Sequence, residues 1–231
     1  MDRENAPGSL EDMNLDDLDE LSFGDEEDDP LMGAIGKVDV AEVRRLIENG
    51  VDVAVSRGFM AQTPLHAAAV DGDGEIIRML LEAGSDLSAR EFLQETPLCI
   101  AARWQHVQVV KTMLDAGADA TARNMHQDTV LRVATHAAAP VDKKVLMLLM
   151  EAGADILECD PHGNTLLHGA RKRGLEEVVQ ILLDVGVDET ARNRDGKTAK
   201  CLAEQRGVDQ TETGSLIAAA GRLARSMVDM P

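Results

Sequence analysis

The string TPLHAAAVDGDGEIIRMLLEAGSD, which starts at Thr63, returns 33 residues later as TPLCIAARWQHVQVVKTMLDAGAD from Thr96. A third copy, TVLRVATHAAAPVDKKVLMLLMEAGAD, starts a further 33 residues on at Thr129 and carries three extra residues. A fourth, TLLHGARKRGLEEVVQILLDVGVD, starts at Thr165, and an eroded copy opens at Thr198. Upstream, DPLMGAIGKVDVAEVRRLIENGVD from Asp29 fits the same frame. A unit this short cannot bury its own apolar face. It must bury that face against its neighbours, so the chain has to fold as a stack.

Each copy reads as two short helices. Thr63 can cap the first through its hydroxyl. Pro64 then sits at the first helical position, where a missing N–H costs nothing. Ala67, Ala68 and Ala69 allow helices to approach closely, and Ile77, Leu80 and Leu81 form an apolar face at helical spacing. Gly84 is placed to end the second helix in the left-handed conformation. Asp29-Pro30 replaces Thr-Pro in the first unit. Aromatic residues are 2% of the chain, with no tyrosine, one tryptophan and three phenylalanines. The core must therefore be Ala, Leu, Val and Ile, which favours closely packed helices over a β-sandwich.

The T-P-L-H start, the paired leucines before a glycine and the G-A-D ending closely resemble the ankyrin-repeat family over roughly residues 29–207. The resemblance implies an all-α solenoid of about five to six helix-turn-helix units with short β-hairpin fingers. Units fall near 29–53, 63–86, 96–119, 129–155 and 165–188, with a degenerate C-terminal cap over 198–228 that includes a closing helix at 214–228. It also implies a concave face that binds other proteins, and repeats that do no catalysis. This sequence departs from the pattern where Cys99 and Arg132 replace the histidine and where Gln94 and Gln127 replace the finger glycine.

His66 and His168 share one frame position, which elsewhere holds Cys99, Arg132 and Cys201. A shared site would need a shared chemistry, so the histidines are expected to hydrogen-bond backbone and hydroxyl groups between units. No phosphate-binding loop, nucleophile–base set or metal-ligand spacing stands out. DGDGE at 71–75 is better explained as the turn between helices. We expect no enzyme activity, no cofactor and no metal.

The formal net charge of −19 is uneven: residues 1–30 carry thirteen carboxylates against one arginine. Such a chain repels nucleic acid. No apolar run is long enough to span a bilayer, and no secretory or transit pattern opens the sequence. Three widely spaced cysteines suggest reduced thiols and a cytoplasmic or nuclear setting.

The frame also predicts a binding surface. Six residues before each helix-opening threonine stand Arg57, Arg90, Arg123, Cys159 and Arg192. These arginines either face a partner or pair with acids such as Glu91 and Asp119. The finger tips are Phe59-Met60, Phe92-Leu93, Met125-His126, Pro161-His162 and Arg194-Asp195, apolar at first and polar later. Trp104 falls near the end of a first helix, on the expected concave face. No aromatic is assigned to the core. Exposed apolar clusters mark interaction sites, and Trp and Arg are frequent anchors. Toward the C-terminal half the face turns basic, with Lys172, Arg173, Arg192 and Arg194. The expected ligand is a protein segment with an apolar and an acidic end, bound by an adaptor or scaffold. The alternative is an inhibitory subunit or an assembly chaperone for a basic or aggregation-prone client.

Residues 1–28 read as a disordered acidic tail. Leu15, Leu18, Leu21 and Phe23 punctuate its acids, a spacing that resembles leucine-rich export signals. The same segment has the composition expected of the ligand, so an intramolecular contact with the concave face is a further expectation.

Overall fold

Asp29 opens the first helix, and its carboxylate accepts from the Leu31 and Met32 amides at 2.9 and 3.1 Å. The computed structural model describes residues 29–58, 60–136 and 141–204. Within them ten helices pair as α1 (Pro30–Gly36) with α2 (Val40–Glu48), α3 (Pro64–Asp71) with α4 (Gly74–Glu82), and α5 (Pro97–Arg103) with α6 (Val107–Asp115). The fourth pair is α7 (Val130–Thr135) with α8 (Lys143–Glu151), and the fifth is α9 (Leu166–Arg173) with α10 (Glu176–Asp184). Residues 199–204 begin one more helix. Phe59, the acidic tail and the expected closing helix at 214–228 lie outside the described residues.

The odd-numbered helices stack on one another as an inner layer, and the even-numbered helices as an outer layer. One continuous core runs from Leu31 to Ala199 and is filled by Ala, Val, Leu, Ile, Met and Cys. Ala68, Ala69, Ala101, Ala102 and Ala134 are buried where inner helices meet. Their small side chains permit that close approach. At the inter-helix turn Gly72 takes φ +81°, and Asp73 caps α4 by accepting from Glu75 and Ile76. The acidic string at 71–75 is thus a turn plus a cap.

The expected β-hairpins are reduced to isolated bridges, Arg57 with Gln62, Arg123 with Thr129, Cys159 with Thr165 and Arg192 with Thr198. The first finger has Gly58 at its base and, among the described residues, closes through backbone bonds alone, whereas each of the other four is also held by a side chain there. Glu91 accepts from Leu93 and Glu95, Asn124 from His126 and Asp128, Asp160 from His162 and Asn164, and Asn193 from Asp195 and Lys197. Gln94 and Gln127 adopt φ of 60° and 65° in the slot where Gly163 and Gly196 stand in later fingers.

Neighbouring fingers are tied by single backbone bonds, Phe92 N to Met60 O at 2.8 Å, Met125 N to Leu93 O at 2.9 Å and Arg194 N to His162 O at 3.0 Å. The equivalent donor between the third and fourth fingers would be residue 161. That residue is proline and has no N–H to give. The His126 carbonyl consequently has no hydrogen-bond partner among the described residues.

Candidate functional site

The helix-start histidines are structural. The Thr63 amide donates to His66 Nδ1 at 3.2 Å, which makes Nδ1 the acceptor and leaves Nε2–H to donate to Glu95 O at 3.1 Å. His168 repeats this with Thr165 and with Lys197 O at 3.0 Å. Burial lowers the His66 pKa, so the ring stays neutral. Each ring thereby ties one unit to the residue preceding the next unit's first helix. Arg132, in the same slot, makes the same reach to Asn164 O at 3.1 Å. It brings a buried charge with it, answered by Glu158 at 3.4 Å and Asp128 at 3.5 Å.

The arginine column is spent on the fingers. Arg90 Nη1 donates to Gln94 O and to Arg123 O in the next finger, Arg123 Nη1 to Gln127 O, and Arg192 Nη1 to Gly196 O, all within 2.6–2.7 Å. Arg57 is half-buried and ion-paired with Asp29. The acids expected to hold this column are engaged elsewhere. Glu91 closes its own finger, and Asp119 accepts from the Thr121 amide and hydroxyl, bonds to Thr121 that lower its pKa. Carbonyls rather than carboxylates hold Arg90 and Arg192, and neither makes an ion pair among the described residues. Both remain exposed cations beside the fingers.

Apolar groups line the same edge. Phe92 is 53% exposed and Trp104 54%, with Met60 and Met125 also exposed and Leu93 half-buried. Both described aromatics therefore lie outside the core. Trp104 follows directly after α5 as its C-cap. A cavity of about 630 Å³ opens beside it, lined by Arg103, Trp104, Asn124, His126, Asp128, Val133 and His136. The third finger, the end of α5 and the inner face of α7 thus converge on one hollow. Among the described residues no group of three or more His, Cys, Asp and Glu could hold a metal ion. Burial lowers the His136 pKa, and the positive charges of Arg173 and Arg132 add to that against the opposing carboxylates of Asp128 and Asp160.

A second cavity of about 530 Å³ lies between the first two inner helices, lined by Met32, Gly33, Gly36, Lys37, Gln62, Ala67, Val70 and Asp71. Both hollows use equivalent positions, four, seven and eight residues after the helix-opening residue. Sequence reading singled out Trp104 among these and passed over Arg103, Val133 and His136. The unit frame already carried the signal, because Gly33, Ala67 and Val133 share one frame position and Gly36, Val70, Arg103 and His136 another. The basic end is present as well: Lys172, Arg192 and Arg194 are exposed, while Arg173 is half-buried and donates to Thr135 O.

A stack of helix pairs with projecting fingers and an exposed inner groove defines a repeat scaffold of the protein-binding class. Family models for ankyrin repeats match residues 10–91 and 31–124 in three-copy form, and a single repeat matches 162–194. The chain belongs to the ankyrin-repeat family, whose repeats are protein-protein interaction modules.

Among curated proteins it is similar to the palmitoyltransferase AKR1 of Lachancea kluyveri, 29% identical over 77% of this chain. It is also similar to the ankyrin repeat-containing protein F37A4.4 of Caenorhabditis elegans, 40% identical over 24% of the chain, and to the 2-5A-dependent ribonuclease of Mus musculus, 38% identical over 26%. The chain spans only 24%, 5% and 8% of those relatives' lengths.

Proposed function

We propose that this chain is a non-enzymatic adaptor or scaffold that docks a segment of another protein, apolar at one end and acidic at the other, into its inner groove. The observation that carries this reading is the exposure of Phe92 on the second finger and of Trp104 at the rim of a hollow large enough for a side chain. Covering an aromatic anchor of this kind contributes about 2 kcal/mol or more, whereas an exposed ion pair contributes about 0–1 kcal/mol. Affinity then comes from Trp104, Phe92, Met60, Leu93, Met125 and the third-finger His126. Phe59 belongs to the same set by its place in the frame. Arg90, Arg123 and Arg192 orient the acidic part of the ligand, with Arg57 at the N-terminal margin. The free thiols of Cys99, Cys159 and Cys201 support a cytoplasmic or nuclear setting.

Proximity labelling with the full chain and with Trp104→Ala/Phe92→Ala tests it. Partners should be lost from the double variant and retained by Met147→Ala, which alters an exposed apolar residue on the outer helix α8. Equal labelling by all three proteins would remove the groove as the docking surface.

A further inference from the structure

The two hollows of the groove lie at the first and third joints of the inner-helix stack, two units apart. Packed helices sit about 8–10 Å from one another, so the hollows are roughly 20 Å apart along the groove. A polyproline-type segment has three residues per turn and rises about 3.1 Å per residue, so it presents every third side chain on one face and covers about 19 Å in six residues. Leu15, Leu18 and Leu21 recur every third residue in this chain's own sequence.

The attachment point agrees. The described chain begins at Asp29, which is ion-paired to Arg57 at the base of the first finger, on the groove side of the stack. Eight residue-to-residue steps lead from Leu21 to Asp29. Fully extended they reach up to about 28 Å, and helix α1 is only about 10 Å long, so the hollow at its far end is within range. The direction is forced as well: Leu21, nearer Asp29, meets the first hollow and Leu15 the one beside Trp104. Asp16, Asp17, Asp19 and Glu20 stand between the leucines, where the finger edge offers Arg90 without an ion pair among the described residues. Asp71 on the first rim and Asp128 on the second oppose added carboxylates. Lys37 borders the first hollow, Asp128 lies 3.5 Å from Arg132, and the leucines supply the contact.

We propose that residues 15–21 of this chain occupy its inner groove when no partner is bound, with Leu21 in the first hollow, Leu18 over the joint between and Leu15 against Trp104. This rests on reading the groove as a protein-docking surface, and it adds that the surface is self-competed. A short tether holds such a segment at an effective concentration on the order of mM, so a partner binds only by displacing it.

Trp104 is the only tryptophan in the chain and reports on the groove directly. In the full chain, Leu15→Ser/Leu18→Ser/Leu21→Ser should shift Trp104 emission to the red. Acrylamide quenching should rise about twofold, as expected when a ligand covering most of the ring leaves. The wild-type value should not depend on protein concentration. Unchanged emission and quenching overturn the proposal, and a concentration-dependent value replaces it with docking between copies. A photo-crosslinking residue at position 18 should couple within the same chain near Val70, Asp71 or Trp104. Coupling to the outer helices α2 or α4 overturns it, since the segment would then cap the end of the stack. If partner labelling is lost in Trp104→Ala/Phe92→Ala while the triple serine variant leaves Trp104 unaltered, the docking groove stands and only the self-competition falls.

Discussion

Arg132 Nε lies 3.4 Å from Glu158 Oε1, with side chains only 3% and 1% exposed. The two depart from the repeat frame together. Where Arg132 stands the second and fifth units carry His66 and His168, and facing those histidines, where Glu158 stands, are Ala89 and Ala191. Thr129 also donates its hydroxyl to Glu158, and Arg123 approaches its other oxygen at 3.3 Å. Burial raises the Glu158 pKa, while Thr129, Arg132 and Arg123 pull it back. Removing one partner from such a pair leaves a buried charge, so Glu158→Ala alone should cost about 3 kcal/mol. Arg132→His combined with Glu158→Ala installs the pairing of the two histidine-bearing units and should return to within about 1 kcal/mol of wild type. Urea unfolding of the four proteins in this cycle measures the coupling.

His66 makes stability depend on pH. Burial holds its pKa below the ordinary 6.5, so the folded ring stays neutral where the unfolded ring takes a proton. Its contribution is complete above about pH 6.5 and is lost as the pH falls below that toward the folded pKa. Unfolding at pH 7.5 and 5.5 should show lower stability at the acid value. His66→Gln should shrink the difference without abolishing it, because burial depresses the His136 pKa too.

Two glycines with similar backbones should respond differently to alanine. Gly72 has φ +81° and Gly84 φ +90°, so both substitutions carry left-handed strain of about 1 kcal/mol. A Cβ on Gly72 would also meet the His106 ring at 2.5 Å, whereas one on Gly84 meets nothing within 4 Å. His106 donates from Nε2 to Val70 O at 2.8 Å, so displacing the ring breaks a contact between units. Thermal unfolding should rank Gly72→Ala below Gly84→Ala.

Pro161 leaves one joint of the finger edge without its backbone bond. The amides of Arg194 and of helices α9 and α10 should exchange at lower protection than those of α3 to α6, read by hydrogen-exchange mass spectrometry. Pro161→Ala supplies the missing donor opposite His126 O and should narrow that gap, with a gain of about 1 kcal/mol at most. Equal protection on both sides of the joint in the wild-type chain would remove proline as the cause of a weak point.

Much of this was legible because a repeat states its local chemistry several times. Thr63, Thr96, Thr129 and Thr165 begin inner helices, Gly72 and Gly84 take left-handed turns, and Asp29 caps α1. Phe92 and Trp104 stand outside the core as the frame requires, because the packing slots are already filled by aliphatic groups. The arginine column was visible too, but what holds it was not. Four residues along the chain bring Gln94 O to Arg90, while the second acceptor, Arg123 O, arrives only from the next finger.

The sequence by itself determined the units, their caps and the order of inner and outer helices, because these depend on hydrogen bonds and apolar spacing within about ten residues. Tertiary structure alone decided which groups meet across a joint: His66 with Glu95 O, Arg132 with Glu158, and Trp104 with the third finger around one hollow. Those partners lie some 20 to 30 residues apart, and only the rise and turn from one unit to the next brings them together.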